Sequence, residues 1–337
     1  MRTALVTGAT GLLGSHVTER LIADGWAVRA LVRDPARAGW LADRGVALRR
    51  GDVLDAASFD DAAAGTDLIV HAAAAIFHPE GWAGYERSNI QGTANAIEAA
   101  QRARARLVHV SSVAVYGGRA RYRDDGGRTS EDAALQPLPE SAHYGRSKRE
   151  SEALVLDAHR QGRLWASAVR PSVIYGRRDR QFVPRMARLV ERAVIPMVGG
   201  GRTTMALVHA ANVADGVVLA GTRDAAGGRA FNLADDFPVT VADFFTLAAR
   251  GLGTRLRAVP VPLALAKAAS GVIDAVGPLF GMDRSVSSAR SSLDFISRNN
   301  PFTSDRARTE LGWAPRVRHE EGVPDAFAWW RSHREDR

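Results

Sequence analysis

The chain has 337 residues, 46% of them hydrophobic and 24% charged, which is enough to bury the core of one large α/β domain with or without a smaller lobe. It has no cysteine, so a disulfide framework, a thiolate-ligated zinc and a cysteine nucleophile are all excluded. The formal charge of +8 fits either an ordinary basic surface or attraction of polyanionic ligands such as a dinucleotide phosphate, a CoA ester or an acidic carrier protein; the arginines are scattered and lack an aromatic platform, which argues against nucleic acid.

The first half alternates strand and helix signals. Strands are expected at 3–7, 27–32, 46–50, 67–72, 106–111 and 165–170, with helices at 12–24, 88–104 and 144–160. This rhythm predicts an α/β, Rossmann-like, doubly wound parallel sheet. Apolar sequence follows Met1 directly and runs into a glycine loop, with no pattern of a cleaved signal, so a cytoplasmic location is expected.

The second half is less regular. Gly199, Gly200 and Gly201 form a turn, 229–233 suggests a late strand, and 240–251 reads as a helix with Thr240 as N-cap. Residues 260–281 are the most apolar stretch, and Lys267 and Asp274 at mid-span argue against a transmembrane helix. Three readings stay open for it: a lid, a core helix, or a segment contacting a membrane surface. The expected division is a nucleotide-binding core at 1–176 and a mainly substrate-binding smaller lobe at 177–337, with about 202–235 returning to the core. No His, Asp or Glu cluster has metal-ligand spacing, so no metal is expected.

Residues 7–14 read TGATGLLG. Gly8 allows a sharp exit from the first strand, Gly11 lets backbone approach a pyrophosphate, and Gly14 lets the helix pack close to the sheet, its N-terminus facing the phosphates. The end of the second strand chooses between nicotinamide cofactors. Arg33 follows it directly and Arg37 lies one turn on; a guanidinium there can bind a 2′-phosphate through charge-assisted bonds, which predicts NADP(H). The competing reading leaves both arginines solvated and gives the ribose to Asp34.

Tyr144 and Lys148 stand at i and i+4, on one face of a helix. A neighbouring ammonium favours the phenolate and lowers a tyrosine pKa from near 10. These residues follow a serine pair in VSSVAVYG (110–117) and precede RPSVIYG (170–176).

In this combination the chain resembles the extended short-chain dehydrogenase/reductases, the NAD-dependent epimerase/dehydratase superfamily. Further matches are GDV (51–53), HAAA (71–74), NIQGT (89–93), VHAANVAD (208–215) and the late SDRARTELGWAP (304–315). The resemblance implies a catalytic group of Ser112, Tyr144 and Lys148, with Ser111 as fallback for the serine. It implies that Asn89 holds a water in a proton relay, the other reading being a helix N-cap. It implies a cofactor site of Gly8, Thr10, Gly11, Leu12 and Gly14, of Arg33, Arg37, Asp52 and Val53, of Ala72, Ala73 and Ala74, of Ser111, Tyr144 and Lys148, and of Pro171 and Val173. His209 is read as structural or substrate-adjacent. Members of that family commonly dimerise through the helices corresponding to 88–104 and 144–160.

The second-strand end resembles dihydroflavonol and cinnamoyl-CoA reductases, and the second half the 3β-hydroxysteroid dehydrogenase-like branch. That implies an NADP(H)-dependent reductase or dehydrogenase of an apolar ketone or secondary alcohol, steroid-, polyketide- or β-keto-acyl-like. The alternatives are a nucleotide-sugar epimerase or dehydratase and a non-catalytic NADP-binding regulator. The expected substrate-facing segments are 75–87 with Phe77, Trp82 and Tyr85, 177–201 with Phe182 and Met186, and 260–284 with Leu263, Leu265, Val272, Ile273 and Phe280.

Overall fold

A computed structural model describes residues 1–117, 127–191, 194–276 and 289–334. Short β-branched and leucine-rich runs form β1 (Thr3–Thr7), β2 (Ala27–Val32), β3 (Ala47–Arg50), β4 (Leu68–His71), β5 (Arg106–Val110) and β6 (Ala166–Pro171). Two short parallel pairs follow, β7 (Val173–Tyr175) with β9 (Leu207–His209), and β8 (Ile195–Val198) with β11 (Ala258–Val261). Between them in sequence, β10 (Ala230–Leu233) returns to the main sheet. That sheet has seven strands in the order β10-β6-β5-β4-β1-β2-β3, parallel at every pairing. The order reverses between β1 and β4, which opens a crevice at the carboxyl ends of those strands.

Alternation along the strands sorts the core into two layers. Ala4, Val6, Val70 and Val108 face α1 (Leu12–Ala23) and the helix Ala210–Thr222 through Leu13, Val17, Leu21, Val213 and Val217. Leu5, Ile69 and Leu107 face the other way, onto α2 (Ala56–Ala63), α3 (Gly92–Ala103) and α4 (His143–Arg160) through Phe59, Ala96, Ile97, Ala100 and Val155. Glu86–Gln91, ahead of α3, winds as a π-helix.

A second apolar cluster lies beyond the sheet. Val183, Ala187 and Val190 of α5 (Phe182–Glu191) pack with Phe244 and Phe245 of the helix Val241–Leu252 and with Phe327 and Trp330 of the helix His319–Ser332. Thr240 caps Val241–Leu252 by accepting from the Asp243 amide. Residues 260–281 do not form one apolar element: β11 takes 258–261, and a separate helix runs from Leu263 to Val276. Leu263 and Leu265 are exposed, so 263–269 does not behave as a core helix. Phe280 and the side chains of Val272 and Ile273 lie outside the described residues. No helix among the described residues is long and apolar enough to cross a membrane.

A buried polar chain joins α1 to this second cluster. The His16 and His209 rings meet edge to face at 5.9 Å, and His209 meets Tyr175 at 5.1 Å. The Tyr175 hydroxyl bonds His319 Nδ1 at 2.8 Å, and His319 also faces Asp236 at 3.2 Å. Asp236 in turn accepts from the His209 amide and from Asn212. Burial, then the charge on His16, pulls the His209 pKa down to about 4, and burial lowers that of His16.

His16 and His209 fold as neutral rings but regain their ordinary pKa when unfolded. Below pH 6.5 the unfolded chain binds more protons at these two histidines, so their contribution should be level from pH 7.5 to 6.5 and stability should fall as pH drops towards 4. Each such histidine should add about 1.4 kcal/mol per pH unit of slope. Urea midpoints measured from pH 7.5 to 4.5 should show this fall. His209→Asn, which keeps an acceptor for the Ala211 amide and cannot titrate in this range, should flatten it; an unchanged slope in that variant would remove His209 from the account.

Candidate active site

The glycine loop is built by close approach. Gly8 has φ +69°, and a Cβ there would stand 2.9 Å from the Ala73 amide nitrogen at the end of β4. A Cβ on Gly14 would meet the Gly8 carbonyl oxygen at 2.2 Å, so α1 starts against the loop that leads into it. Gly11 donates to the Gly8 carbonyl at 2.9 Å and serves as N-cap without a side-chain acceptor. The first amides of α1 are therefore left for an anion, and the loop fits a pyrophosphate.

At the end of β2, Arg33 and Arg37 are exposed. Asp34 is also exposed, and its Oδ1 accepts from the Ala36 amide at 3.1 Å and caps the turn Pro35–Ala38. At the end of β3, the Asp52 carboxylate accepts from the Leu54 amide at 2.9 Å, and the Val53 carbonyl is fastened to Asn95 at 2.8 Å.

Strands β4, β5 and β6 and helix α4 supply the reacting side of the crevice. The register Thr7↔His71↔His109 places a polar row one step beyond the apolar row Leu5↔Ile69↔Leu107. The rings of His71 and His109 stack at 5.9 Å, and His71 Nδ1 bonds Thr7 Oγ1 at 3.0 Å. Lys148 reaches into this layer from α4. It is 3% exposed, and its ammonium donates to the Val110 carbonyl at 2.7 Å. Burial brings its pKa down to about 8, against a smaller opposing pull from Glu152. Burial and then the Lys148 charge hold His71 down to about 3 and His109 well below its usual value, so both rings are neutral.

Tyr144 stands one turn before Lys148, half-buried. Ser112 follows β5, half-buried, with its hydroxyl oxygen accepting from the Ala114 amide at 3.2 Å. Ser111 is buried, and its hydroxyl has no hydrogen-bond partner among the described residues. The turn after Ser112 packs against α4 at Gly145, where a Cβ would stand 3.0 Å from the Ala114 carbonyl oxygen. Arg149 ties the same turn to α4 by donating to the Val115 carbonyl at 2.9 Å. Pro171 closes β6, and Val173 opens β7.

Asn89 is no N-cap. It lies inside the π-helix, and its carboxamide is a buried clasp. It accepts from the Ala75 amide at 2.7 Å and donates to the Ala75 carbonyl and to Ser147 Oγ, each at 3.0 Å. It thus ties the chain after β4, which carries Ala72, Ala73 and Ala74, to α4. Beyond it, Tyr85 donates to the Ile76 carbonyl at 2.8 Å, and Trp82, Tyr85 and His143 form a ring cluster beside Tyr144. Sequence reasoning missed His143, whose Nδ1 is buried without a hydrogen-bond partner among the described residues. It also missed Glu152 and Arg170, although Glu152 stands at i+4 from Lys148.

Comparison with known proteins identifies the family and the fold. The model of the NAD dependent epimerase/dehydratase family matches residues 4–234. The chain is 32% identical over 326 residues to the 4-hydroxy-2-methyl-3-oxo-4-farnesyl-3,4-dihydroquinoline-1-oxide ketoreductase of Stigmatella aurantiaca, covering 96% of this chain and 95% of that one. It is 28% identical to the 2-alkyl-3-oxoalkanoate reductase of Shewanella oneidensis, covering 95% and 84%. The crystal structure of gox2253 superposes with a TM-score of 0.77 at 28% identity, over 99% of each chain.

The contact under Gly14 makes the loop testable. Gly14→Ala should force α1 off the Gly8 carbonyl, costing about 1–3 kcal/mol of stability, and should weaken nicotinamide-dinucleotide binding. Gly11→Ala, whose Cβ meets the Gly8 carbonyl oxygen at 3.2 Å, should cost less. Thermal unfolding and fluorescence titration with NADPH check both; equal effects of the two substitutions would contradict these packing roles.

Proposed function

The chain belongs to the NAD dependent epimerase/dehydratase family, and from that premise we propose that it is an NADP(H)-dependent ketoreductase or alcohol dehydrogenase acting on an apolar ketone or secondary alcohol. The observation that carries this reading is the buried Lys148, bonded to the Val110 carbonyl at the end of β5 one helical turn from Tyr144, on a sheet edge that also holds the close-packed glycine loop.

The nicotinamide dinucleotide supplies or accepts the hydride. Gly8, Thr10, Gly11, Leu12 and Gly14 would hold its pyrophosphate, Arg33 and Arg37 its 2′-phosphate, Asp52 and Val53 its adenine. Ala72 to Ala74 would flank it, and Pro171 and Val173 would meet its carboxamide end. Ser112 donates a hydrogen bond to the substrate oxygen. In reduction Tyr144 gives its phenolic proton to that oxygen, and in oxidation its phenolate takes the proton back. Lys148 keeps positive charge close to Tyr144, which favours the phenolate. Asn89 keeps the backbone after β4 at a fixed spacing from α4.

Support for an apolar substrate comes from the rim. Ile76 and Phe77 are exposed beside the Trp82, Tyr85 and His143 rings, and the two similar reductases are named for a farnesylated 3-oxo compound and a 3-oxoalkanoate. A dehydratase reading fares worse, because Val113 and Ala114 follow Ser112 where those enzymes place an acid pair.

Arg33→Ala should weaken NADPH binding by about tenfold to a hundredfold, the equivalent of about 1.5–3 kcal/mol of charge-assisted hydrogen bonding. NADH binding should hardly change. Titration of both cofactors checks this, and equal losses would sink the 2′-phosphate assignment.

Tyr144→Phe should lower kcat about 10²–10⁴-fold on a ketone found by screening NADPH oxidation, while NADPH binding persists. Wild-type turnover in that variant would exclude Tyr144 as the proton donor.

A further inference from the structure

The chain uses arginine for nearly every cation. It has two lysines, Lys148 and Lys267, among 45 basic residues. A guanidinium stays charged in any protein, whereas an ammonium can give up its proton. One of the two lysines is buried under the reaction site, and its surroundings bear on when it does so.

Glu152 is one turn after Lys148 on α4, buried, and would be the natural counter-ion of the ammonium. It is taken by Arg170 of β6 instead. Arg170 Nε donates to both carboxylate oxygens, at 3.2 and 2.9 Å, and Nη2 donates to Oε1 at 2.5 Å. Arg170 Nη1 donates to the Tyr116 hydroxyl at 2.9 Å, which donates to Asn232 Oδ1 at 2.8 Å. The guanidinium is therefore fixed from two sides, with 7% and 5% of the Arg170 and Glu152 side chains exposed. Lys148 is left with the Val110 carbonyl.

We propose that Arg170 is a positioning residue for Lys148: its fork occupies Glu152 and so leaves the buried ammonium with a neutral carbonyl as its hydrogen-bond partner. This rests on the reading of Lys148 as the partner of Tyr144. The other groups whose charges act on the same layer supply no counter-charge: His71 and His109 are neutral and Arg149 is cationic. Glu131 lies on the far side of Arg170, bonded to the Asn232 amide. Glu152 keeps only a smaller upward pull on Lys148 than the opposing effect of burial, and losing either member of the Glu152–Arg170 pair alone would move the proton affinity of Lys148 in an opposite direction.

Having two lysines makes this measurable without a substrate. Protein grown with [13Cε]-lysine should give two side-chain signals, assigned with Lys267→Arg, and the Lys148 signal can be titrated in the cofactor-free protein. Arg170→Gln should raise the Lys148 pKa by about one unit or more, because Glu152 is released to it. Glu152→Gln should lower it, because Arg170 is then unopposed. The double variant should return close to wild type. No rise in Arg170→Gln, or a double variant that matches Glu152→Gln, overturns the proposal.

A single substitution strands a buried charge and can prevent folding. Arg170→Lys, which keeps the charge without the fork, then carries the test: Lys148 should still shift upward, by less than one unit, and an unchanged value overturns the proposal. In a folded Arg170→Gln variant the alkaline limb of the reduction rate should move upward together with Lys148. Failure of every ketone to turn over would strike the functional reading and leave the titration result intact.

Discussion

A single buried ammonium sets the terms for the centre of this molecule. Desolvating a charge of this kind is costly, and the Lys148 ammonium sits on one carbonyl of β5. Every group near it must then be neutral or already matched. His71 and His109 are neutral because burial and the same ammonium disfavour a second charge. Glu152 and Arg170 cancel each other by a bidentate bond. The bond to Val110 also fastens α4 to β5, and Gly145 of that helix packs against the turn that Ser112 begins.

The parallel sheet makes such a site easy to assemble. All strands end on the same edge, so the residues just past β1, β2, β4, β5 and β6 converge without any long loop. Close backbone approach does the fine adjustment. Gly8 against Ala73, Gly14 against Gly8 and Gly145 against Ala114 are three places where a methyl group would push apart surfaces that must meet. Two of them shape the nucleotide loop, and the third joins the serine turn to the tyrosine helix.

The second apolar cluster is tied to this core by polar contacts as well as by packing. His16, His209, Tyr175, His319 and Asp236 run from α1 to the helix His319–Ser332. Arg178 reinforces the same seam by donating to Ser15 and Glu19, next to the start of α1. That seam joins the second cluster to the helix that begins under the glycine loop.

The repeating βα pattern and the positions of the six early strands were legible from residues alone, because a parallel strand buried on both faces is an apolar run and a helix shows its 3.6-residue period. The candidate site was legible for a related reason: its glycines, its serine pair and Tyr144 with Lys148 are separated by local geometry, a turn or one helical repeat, that sequence spacing encodes. What depends on contacts distant in sequence was not legible. Asn89 could be read as a helix N-cap and instead lies inside a π-helix, its carboxamide bridging Ala75 and Ser147. One Asp34 carboxylate oxygen caps the turn that follows it. Residues 260 and 261 looked like part of one apolar stretch and belong to a strand, because β8, some 60 residues earlier, offers it a partner. The partner of Glu152 is Arg170, on a different element, and no spacing rule reaches across a sheet to say that the carboxylate one turn from Lys148 belongs to another cation. Sequence by itself determined which groups line the strand ends; tertiary packing decided which of them are free to act, because a hydrogen bond already made between buried groups is withdrawn from chemistry.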